Sequence, residues 1–195
     1  ESGLSLQAVR SLRKASASGL VIETSDELDA LQQFYRLHGS TPRRHGLPPQ
    51  SFEFFSILHE EIIAKGMGHV VLARSGREVV AASVFLHFRG AAIYKFGASD
   101  TRFWPLCPNH AVMWEGIRTL IRTGCLSLHF GRTSPGDHGL SRFKRSWGAD
   151  NSPIRQFRYS SREHGWTGGT DPAAESHRAI FGWLPLRFNR ILGSL

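Results

Sequence analysis

Cationic side chains follow a short apolar segment in the second half of the chain. The segment Leu128–Phe130 runs into the loop Gly131–Thr133, and a stretch rich in arginine with one lysine follows from Gly139 to Gly148. A buried strand that ends in such a glycine-hinged loop aims backbone amides and cations at one point, where they stabilise negative charge. The spacing therefore predicts an anion-handling site between the strand end at Arg132 and the helix cation Lys144.

Length and composition bound the class of protein. The 195 residues are 41% hydrophobic and 11% aromatic, which suits a single domain with one buried core. No run approaches the roughly 18 apolar residues of a membrane-spanning helix, and the first residues lack the apolar region of a secretion signal. We therefore expect a cytoplasmic protein without a transmembrane segment. Cys107 and Cys125 have no metal-ligand spacing, which predicts free thiols and no metal site.

The formal net charge of +8 predicts attraction to an anionic partner. Nucleic acid, acidic lipid at the inner membrane face and the phosphates of a nucleotide-containing cofactor all remain open on this evidence, and general solubility explains the charge equally well. The cations are spread along the sequence instead of being massed in a tail. That distribution favours a basic face or cleft over a disordered nucleic-acid arm.

Hydrophobic periodicity predicts an alternation of helices and strands that fills most of the chain. A capping box at Thr24–Glu27 should open the second helix, and Asn109 is the expected N-cap of the helix ended by Gly124. The predicted order is a basic helix up to Gly19, a strand Leu20–Ile22, a helix through Tyr35, a helix from Phe52 ended by Gly66, three strands (His69–Arg74, Glu78–Phe88, Ala91–Phe96), a helix ended by Gly124, a strand Leu126–Phe130, a helix Asp137–Trp147 and a strand through Tyr159.

The same pattern predicts three parts along the chain. Residues 1–19 form a basic helix that could connect to another domain, residues 20–162 form the main domain, and residues 163–195 form a linker followed by an amphipathic C-terminal helix. Docking of that helix on the domain itself is the first expectation, and binding to a membrane interface is the alternative.

Several sequence phrases in a fixed order point to a known family. They are Thr41–Pro48 before Phe54–Phe55, Tyr94–Asp100, Pro108–Asn109 before Trp114, Phe130–Thr133, and Phe143–Lys144 with Trp147–Gly148 behind them. From about Arg10 to Tyr159 the chain resembles the GCN5-related N-acetyltransferase (GNAT) superfamily, in particular the C-terminal GNAT domain of FemAB-type and BioF2-like acyltransferases.

That resemblance implies an α+β fold, with a mixed and mostly antiparallel central sheet that splays apart between its fourth and fifth strands and is flanked by helices. It also implies transfer of an acyl or aminoacyl group from acyl-CoA or aminoacyl-tRNA to an amine acceptor, such as a small molecule or a peptidoglycan or other glycan precursor. An N-terminal GNAT domain is an implied partner. The alternative function is a non-catalytic, substrate-binding half of a two-domain protein.

The resemblance further assigns catalytic roles. Lys144 would stabilise the tetrahedral oxyanion or grip donor phosphates, and Arg132 would orient the substrate or a phosphate. His129 stands where relatives carry an aspartate, so that His129 becomes a candidate base. A buried core histidine with a satisfied ring is the alternative for His129.

Donor and acceptor contacts are assigned in the same way. Amides around Gly97 and Ala98 would hold the acyl carbonyl, Phe143 would pack beside the end of the donor, and Asn109 would also face the donor. The expected substrate contacts are Arg44, Tyr94, Lys95, Trp104 and Thr133. Relatives cradle the CoA diphosphate with a glycine-rich turn, whereas this chain has Arg102–Pro108 there. Because proline lacks an amide donor, we expect CoA not to be held there in the usual manner.

Overall fold

A five-stranded sheet carries helices on both faces. The computed structural model describes residues 3–39, 50–134, 136–155, 157–162 and 164–167. The elements in chain order are α1 (Leu6–Ser16), β1 (Val21–Ser25), α2 (Leu28–His38), α3 (Phe52–Leu58) with a π-helical continuation (His59–Met67), β2 (Gly68–Ser75), β3 (Glu78–Phe88), β4 (Ala91–Ser99), a 3₁₀ helix (Thr101–Leu106), α4 (Pro108–Arg122), β5 (Ser127–His129), α5 (His138–Ser146), β6 (Arg158–Ser160) and β7 (Gly165–Thr167).

The strand order in the main sheet is β1-β2-β3-β4-β5. The first four strands are antiparallel, and β5 joins the edge of β4 in parallel, as a helical crossover through α4 requires. The predicted α+β class with a mixed, mostly antiparallel sheet is confirmed. The predicted β3 has the bounds that the structure shows, and the other elements differ from their predicted ends by a few residues.

Strand alternation divides the interior into two cores. In β2, Val70 and Leu72 face α2 and α3, whereas Val71 and Ala73 face α4. The helix α1 packs against α4, and the backbone N–H of Ser5 donates to the carbonyl of Ser146 at the end of α5 (2.9 Å). One face of the sheet therefore carries α2, α3 and the π-helical segment, and the other carries α1, α4 and α5.

Two predicted helix caps are wrong. The Thr24–Glu27 capping box does not form, because Glu27 itself occupies the N-cap of α2 without a side-chain bond and its N–H donates to the Ser25 hydroxyl (3.1 Å). The N-cap of α4 is Cys107, in a left-handed conformation (φ 56°), with Pro108 as the first helical residue. A proline suits that position because its φ is preset and its missing N–H would have no helical partner.

The strand predicted through Tyr159 is present as β6, but it pairs with β7 in a separate two-stranded sheet. Because β7 spans Gly165–Thr167, part of the stretch predicted as a linker is a strand. The rest of the C-terminal stretch, including the predicted amphipathic helix, lies outside the described residues. Among the described helices, none has the length and apolar character needed to cross a membrane.

Candidate functional site

The strands β4 and β5 separate soon after they meet. Their pairing covers Ala91–Ile93 with Ser127–His129, so that in the described structure the stretch Tyr94–Ser99 has β3 on one side and no strand on the other. Lys95 is an extra residue in the β3–β4 ladder and forms a bulge. Backbone N–H and C=O groups alternate between the two edges of a strand, so this segment offers unpaired groups on its open side. The predicted splay is therefore confirmed, and we call it the β4–β5 opening.

Lys144 and the turn after β5 meet at this opening, as the sequence predicted. Lys144 is only 7% exposed, and its ammonium donates to the carbonyls of Gly131 (3.0 Å) and Arg132 (3.2 Å). Burial lowers the pKa of Lys144, while the nearby Asp137 carboxylate acts in the opposite direction. Asp137 also caps α5 by accepting from the Leu140 N–H (3.0 Å). The helix cation thus fixes the backbone of the turn, and the Arg132 side chain is exposed.

His129 lies on the surface at the end of β5. Its Nδ1 accepts from the backbone N–H of Gly131 (3.0 Å), and the residue is exposed. The interpretation of His129 as a buried core histidine is therefore wrong. A neutral ring that accepts at Nδ1 carries its hydrogen on Nε2. In this geometry Nδ1 is occupied by the Gly131 N–H, so that His129 holds the turn that follows β5.

A buried serine at the end of β4 organises two predicted site residues. The Ser99 hydroxyl accepts from Trp104 Nε1 (2.9 Å) and Asn109 Nδ2 (3.1 Å), and Ser99 is 6% exposed. The amide of Asn109 is thereby directed at the strand end. Our sequence reasoning missed Ser99, although a short polar residue at the end of an apolar strand was a signal for it.

Gly97 and Ala98 face opposite sides of the sheet. A Cβ on Gly97 would overlap the hydroxyl of Tyr94, which hydrogen-bonds with Ser83, so a larger residue at 97 has no room there. Burial raises the pKa of Tyr94. Ala98 points into the opposite core beneath α2. Glycine at 97 is therefore explained by the ring of Tyr94, and the backbone groups of Gly97 and Ala98 border the open edge.

The remaining predicted site residues lie at separate positions and do not form one cluster. The ring of Phe143 packs edge-on against His110 (5.4 Å) and against Trp147 (6.1 Å), and burial lowers the pKa of His110. Lys95 is exposed, with its ammonium 5.5 Å from the centre of the Phe96 ring. Thr133 is half-buried beside Arg132. Arg44 lies outside the described residues.

The start of α4 is poorly equipped to hold a diphosphate. Pro108 has no N–H, the backbone N–H of His110 donates to the Cys107 carbonyl (3.0 Å), and the side-chain amide of Asn109 is bound to Ser99. The nearby Arg102 guanidinium is paired with Asp100 (2.7 Å). In the described parts of the chain no group of three or more potential metal ligands occurs.

Comparison with known proteins adds to this geometry. The sequence matches the family described as acetyltransferase (GNAT) domain over residues 7–145. The fold is similar to that of FemX, at 16% identity and a TM-score of 0.68, over 75% of this chain and 54% of the FemX chain. This chain therefore spans about half the length of FemX. A search of curated proteins finds no match.

Two other solved structures are matched over most of their own length. One is the aminoglycoside N-acetyltransferase AAC(6')-Iy in complex with CoA, at 13% identity, with 74% of this chain and 96% of that chain covered and a TM-score of 0.57. The other is the ribosomal-protein-S18-alanine N-acetyltransferase from Escherichia coli, at 16% identity, with 75% and 88% covered and a TM-score of 0.57. Identities this low show a shared fold and nothing finer.

Proposed function

The chain belongs to the acetyltransferase (GNAT) domain family, and from that premise we propose that it transfers an acyl group from a pantetheine thioester, such as acyl-CoA, to an amine. The observation that carries this proposal is the β4–β5 opening, whose edge consists of free backbone groups and whose far end is a turn fixed by Lys144.

The open edge of β4 fits the donor. A pantetheine arm is a narrow, extended chain with two amide groups, and such groups can pair with the unpaired N–H and C=O groups of Tyr94–Ser99 as an added strand does. The thioester carbonyl would then lie near Gly97 and Ala98, where a backbone N–H can bind the oxygen. This placement supports the donor contacts assigned to those two residues.

The reaction is a direct transfer. The amine nitrogen attacks the thioester carbon, a C–N bond forms and the C–S bond breaks, so that an amide and a free thiol result. The amine loses one proton, and the departing sulfur takes one up. The tetrahedral oxyanion between these steps requires donors that are already in place, because reorienting them during the reaction would cost energy.

We assign Lys144 to positioning. Two of its three N–H bonds hold the carbonyls of Gly131 and Arg132, which fixes the turn opposite β4. His129 supports the same turn through the Gly131 N–H. The exposed Arg132 side chain is the cation that remains to contact the acceptor or the oxyanion. Peptidoglycan or other glycan precursors stay predictions for the acceptor.

The test is acyl transfer with purified protein. Thiol release from short- and long-chain acyl-CoA should depend on an added amine, and Lys144→Met should lower kcat about 10- to 100-fold at saturating donor, because a displaced turn misaligns the reactants. Circular dichroism must show that the variant is folded. Lys65→Met, on the opposite face of the sheet, is the matched control and should retain activity.

Three outcomes would contradict parts of the proposal. Unchanged kcat in folded Lys144→Met removes its positioning role. Transfer from aminoacyl-tRNA without any transfer from acyl-CoA contradicts the thioester donor. Binding of an amine without transfer from either donor would favour the non-catalytic, substrate-binding half.

A further inference from the structure

The helices on the two faces of the sheet carry opposite charge. Together α1, α4 and α5 contain eight Arg and Lys residues and one carboxylate, Glu115. On the other face, α2, α3 and the π-helical segment contain two cations and four carboxylates. The formal charge is therefore +7 on the helices of one face and −2 on the helices of the other, so among the described helices the cations are concentrated on one side.

Five of these cations form no ion pair with the described residues. Arg10, Arg13 and Lys14 of α1 and Arg142 and Arg145 of α5 are exposed, and none lies within ion-pair distance of a carboxylate among the described residues. In α1 these cations lie opposite the buried residues Ala8, Ser11 and Ala15, and in α5 they are exposed next to the buried Lys144 and Ser146. We call these five residues the cationic face.

The cationic face borders the β4–β5 opening. Lys144 joins α5 to the turn at Gly131 and Arg132, and the bond from Ser5 to Ser146 joins α1 to α5. An anionic partner that rests on α1 and α5 therefore lies beside the helix that fixes the turn of the β4–β5 opening, in which the proposed pantetheine arm lies. At the same time, the start of α4 offers few backbone N–H groups to the diphosphate of free CoA, because Pro108 has none and that of His110 is bonded to the Cys107 carbonyl.

From these two observations we propose that the cationic face docks an acidic carrier protein, which presents its acyl thioester on a phosphopantetheine arm. This inference rests on the proposed acyl transfer. The arm of a carrier ends in a single phosphate attached to protein, so no adenosine diphosphate needs a cradle. The carrier's carboxylates supply the complementary charge, and charge complementarity speeds encounter and sets orientation.

The composition of the cationic face favours a protein partner. Proteins that bind single-stranded nucleic acid present aromatic side chains on which bases stack, and interfacial membrane helices present a broad apolar face. Of the residues that the structure describes, Leu6 is the one large apolar residue that is exposed on α1 or α5. The apolar sides of both helices pack on the domain itself, with Phe143 against His110 on α4.

The experiment compares three donors that carry the same acyl group: acyl-pantetheine, acyl-CoA and an acidic acyl carrier protein. We expect kcat/KM to be about 10-fold or more higher for the carrier than for acyl-pantetheine, and this advantage to fall as salt is added. Either Arg10→Glu with Arg13→Glu or Arg142→Glu with Arg145→Glu should remove most of the advantage and leave transfer from acyl-pantetheine unchanged.

The matched control reverses the same number of charges elsewhere. Arg36→Glu with Arg77→Glu changes two exposed cations outside the cationic face and should retain the advantage of the carrier. Equal loss in this control, or no advantage of the carrier in the original protein, overturns the inference while acyl transfer stands. Absence of transfer from all three donors contradicts the proposed function instead.

Two binding measurements complete the test. Binding of the carrier in its acyl-free form should weaken in both cationic-face variants. If a short RNA duplex or phosphatidylserine vesicles bind the cationic face while the carrier does not, the surface serves nucleic acid or lipid, and the carrier proposal is wrong.

Discussion

The two faces of the sheet are packed and charged differently. Beneath α2 and α3 the core is dominated by rings, with Phe55 in contact with Phe34 (5.5 Å) and Phe96 (5.3 Å), and the helices outside it are acidic. Beneath α4 the core contains small residues that allow close approach, such as Gly116 against the ring of Phe85, and its helices are basic. The ring-rich face supports the sheet, while the basic face also carries the candidate site.

Buried polar groups sharpen this contrast. On the α4 face, His69 is 5% exposed and stacks on Phe85 (5.3 Å), and its Nε2 lacks a hydrogen-bond partner. On the α2 face, His38 is also buried, with its Nε2 hydrogen-bonded to Gln50 (2.9 Å) and its Nδ1 without a partner. Trp147 Nε1 on the α4 face also lacks a partner, so among the described residues the α4 face buries two unpaired side-chain nitrogens and the α2 face buries one.

The largest expected effect is loss of the ring cluster. Phe55→Ala should lower the free energy of unfolding by about 3–5 kcal/mol, because a fully buried ring among other rings leaves a cavity. Urea titration measures it. Phe54→Ala, on the same helix but 40% exposed, should cost much less. Equal losses in the two variants would show that the cluster does not carry the stability of this face.

The next effect is on pH dependence. Burial lowers the pKa of His69 to about 4, with smaller contributions in the same direction from His87 and Arg122. Between pH 6.5 and about 4 the unfolded chain binds a proton that the folded chain does not, so stability should fall by about 3 kcal/mol as the pH drops through this window, with no contribution above it.

The variant His69→Phe keeps the ring stack and should flatten this slope. Urea titrations at several pH values measure the difference. Burial also lowers the pKa of His38, although the bond to Gln50 opposes it, so His38→Phe should flatten the slope less. A larger change in the slope from His38→Phe than from His69→Phe would contradict the stronger pH dependence expected from His69.

The smallest effect concerns the close approach of α4. A Cβ on Gly116 would overlap the ring of Phe85, and Gly116→Ala should cost about 1–3 kcal/mol despite the better helix propensity of alanine. In Gly139→Ala, also within a helix, the nearest atom to the new Cβ is Asp137 Oδ1 at 3.8 Å. That variant should be neutral or slightly stabilising. Thermal unfolding compares the two, and a neutral Gly116→Ala would contradict the tight packing of α4.

Local sequence patterns predicted most elements correctly, because the spacing of apolar residues indicates which side of a helix or strand is buried. The apolar stripes of α1, α3 and α4 and the β-rich runs of β2 to β4 were readable from their own residues. The caps were predicted less well, since α2 begins after Glu27 instead of after Thr24, and the Asn109 side chain is bonded to Ser99 instead of to a helix N–H. The strand β7 was missed because its short, glycine-containing segment is defined only by its pairing with β6.

The candidate site shows the same division. That the strand end at Arg132 and the cation at Lys144 converge followed from the strand–loop–helix pattern. What Lys144 bonds to did not follow, because its partners are backbone carbonyls twelve and thirteen residues away. Ser99 joins Trp104 and Asn109 for a similar reason: the turn between them is set by Cys107 and Pro108, and its shape is visible only in the folded chain.

By itself the sequence determined the order of helices and strands and the basic character of the chain, because those properties depend on residue type and spacing. Tertiary structure alone decided which cations are buried and which are free. Lys144 and Arg145 are neighbours, yet one is enclosed beneath the turn after β5 and the other faces solvent. That difference arises because α5 packs with one side on the domain, and only the three-dimensional position of the turn provides carbonyls for the enclosed ammonium.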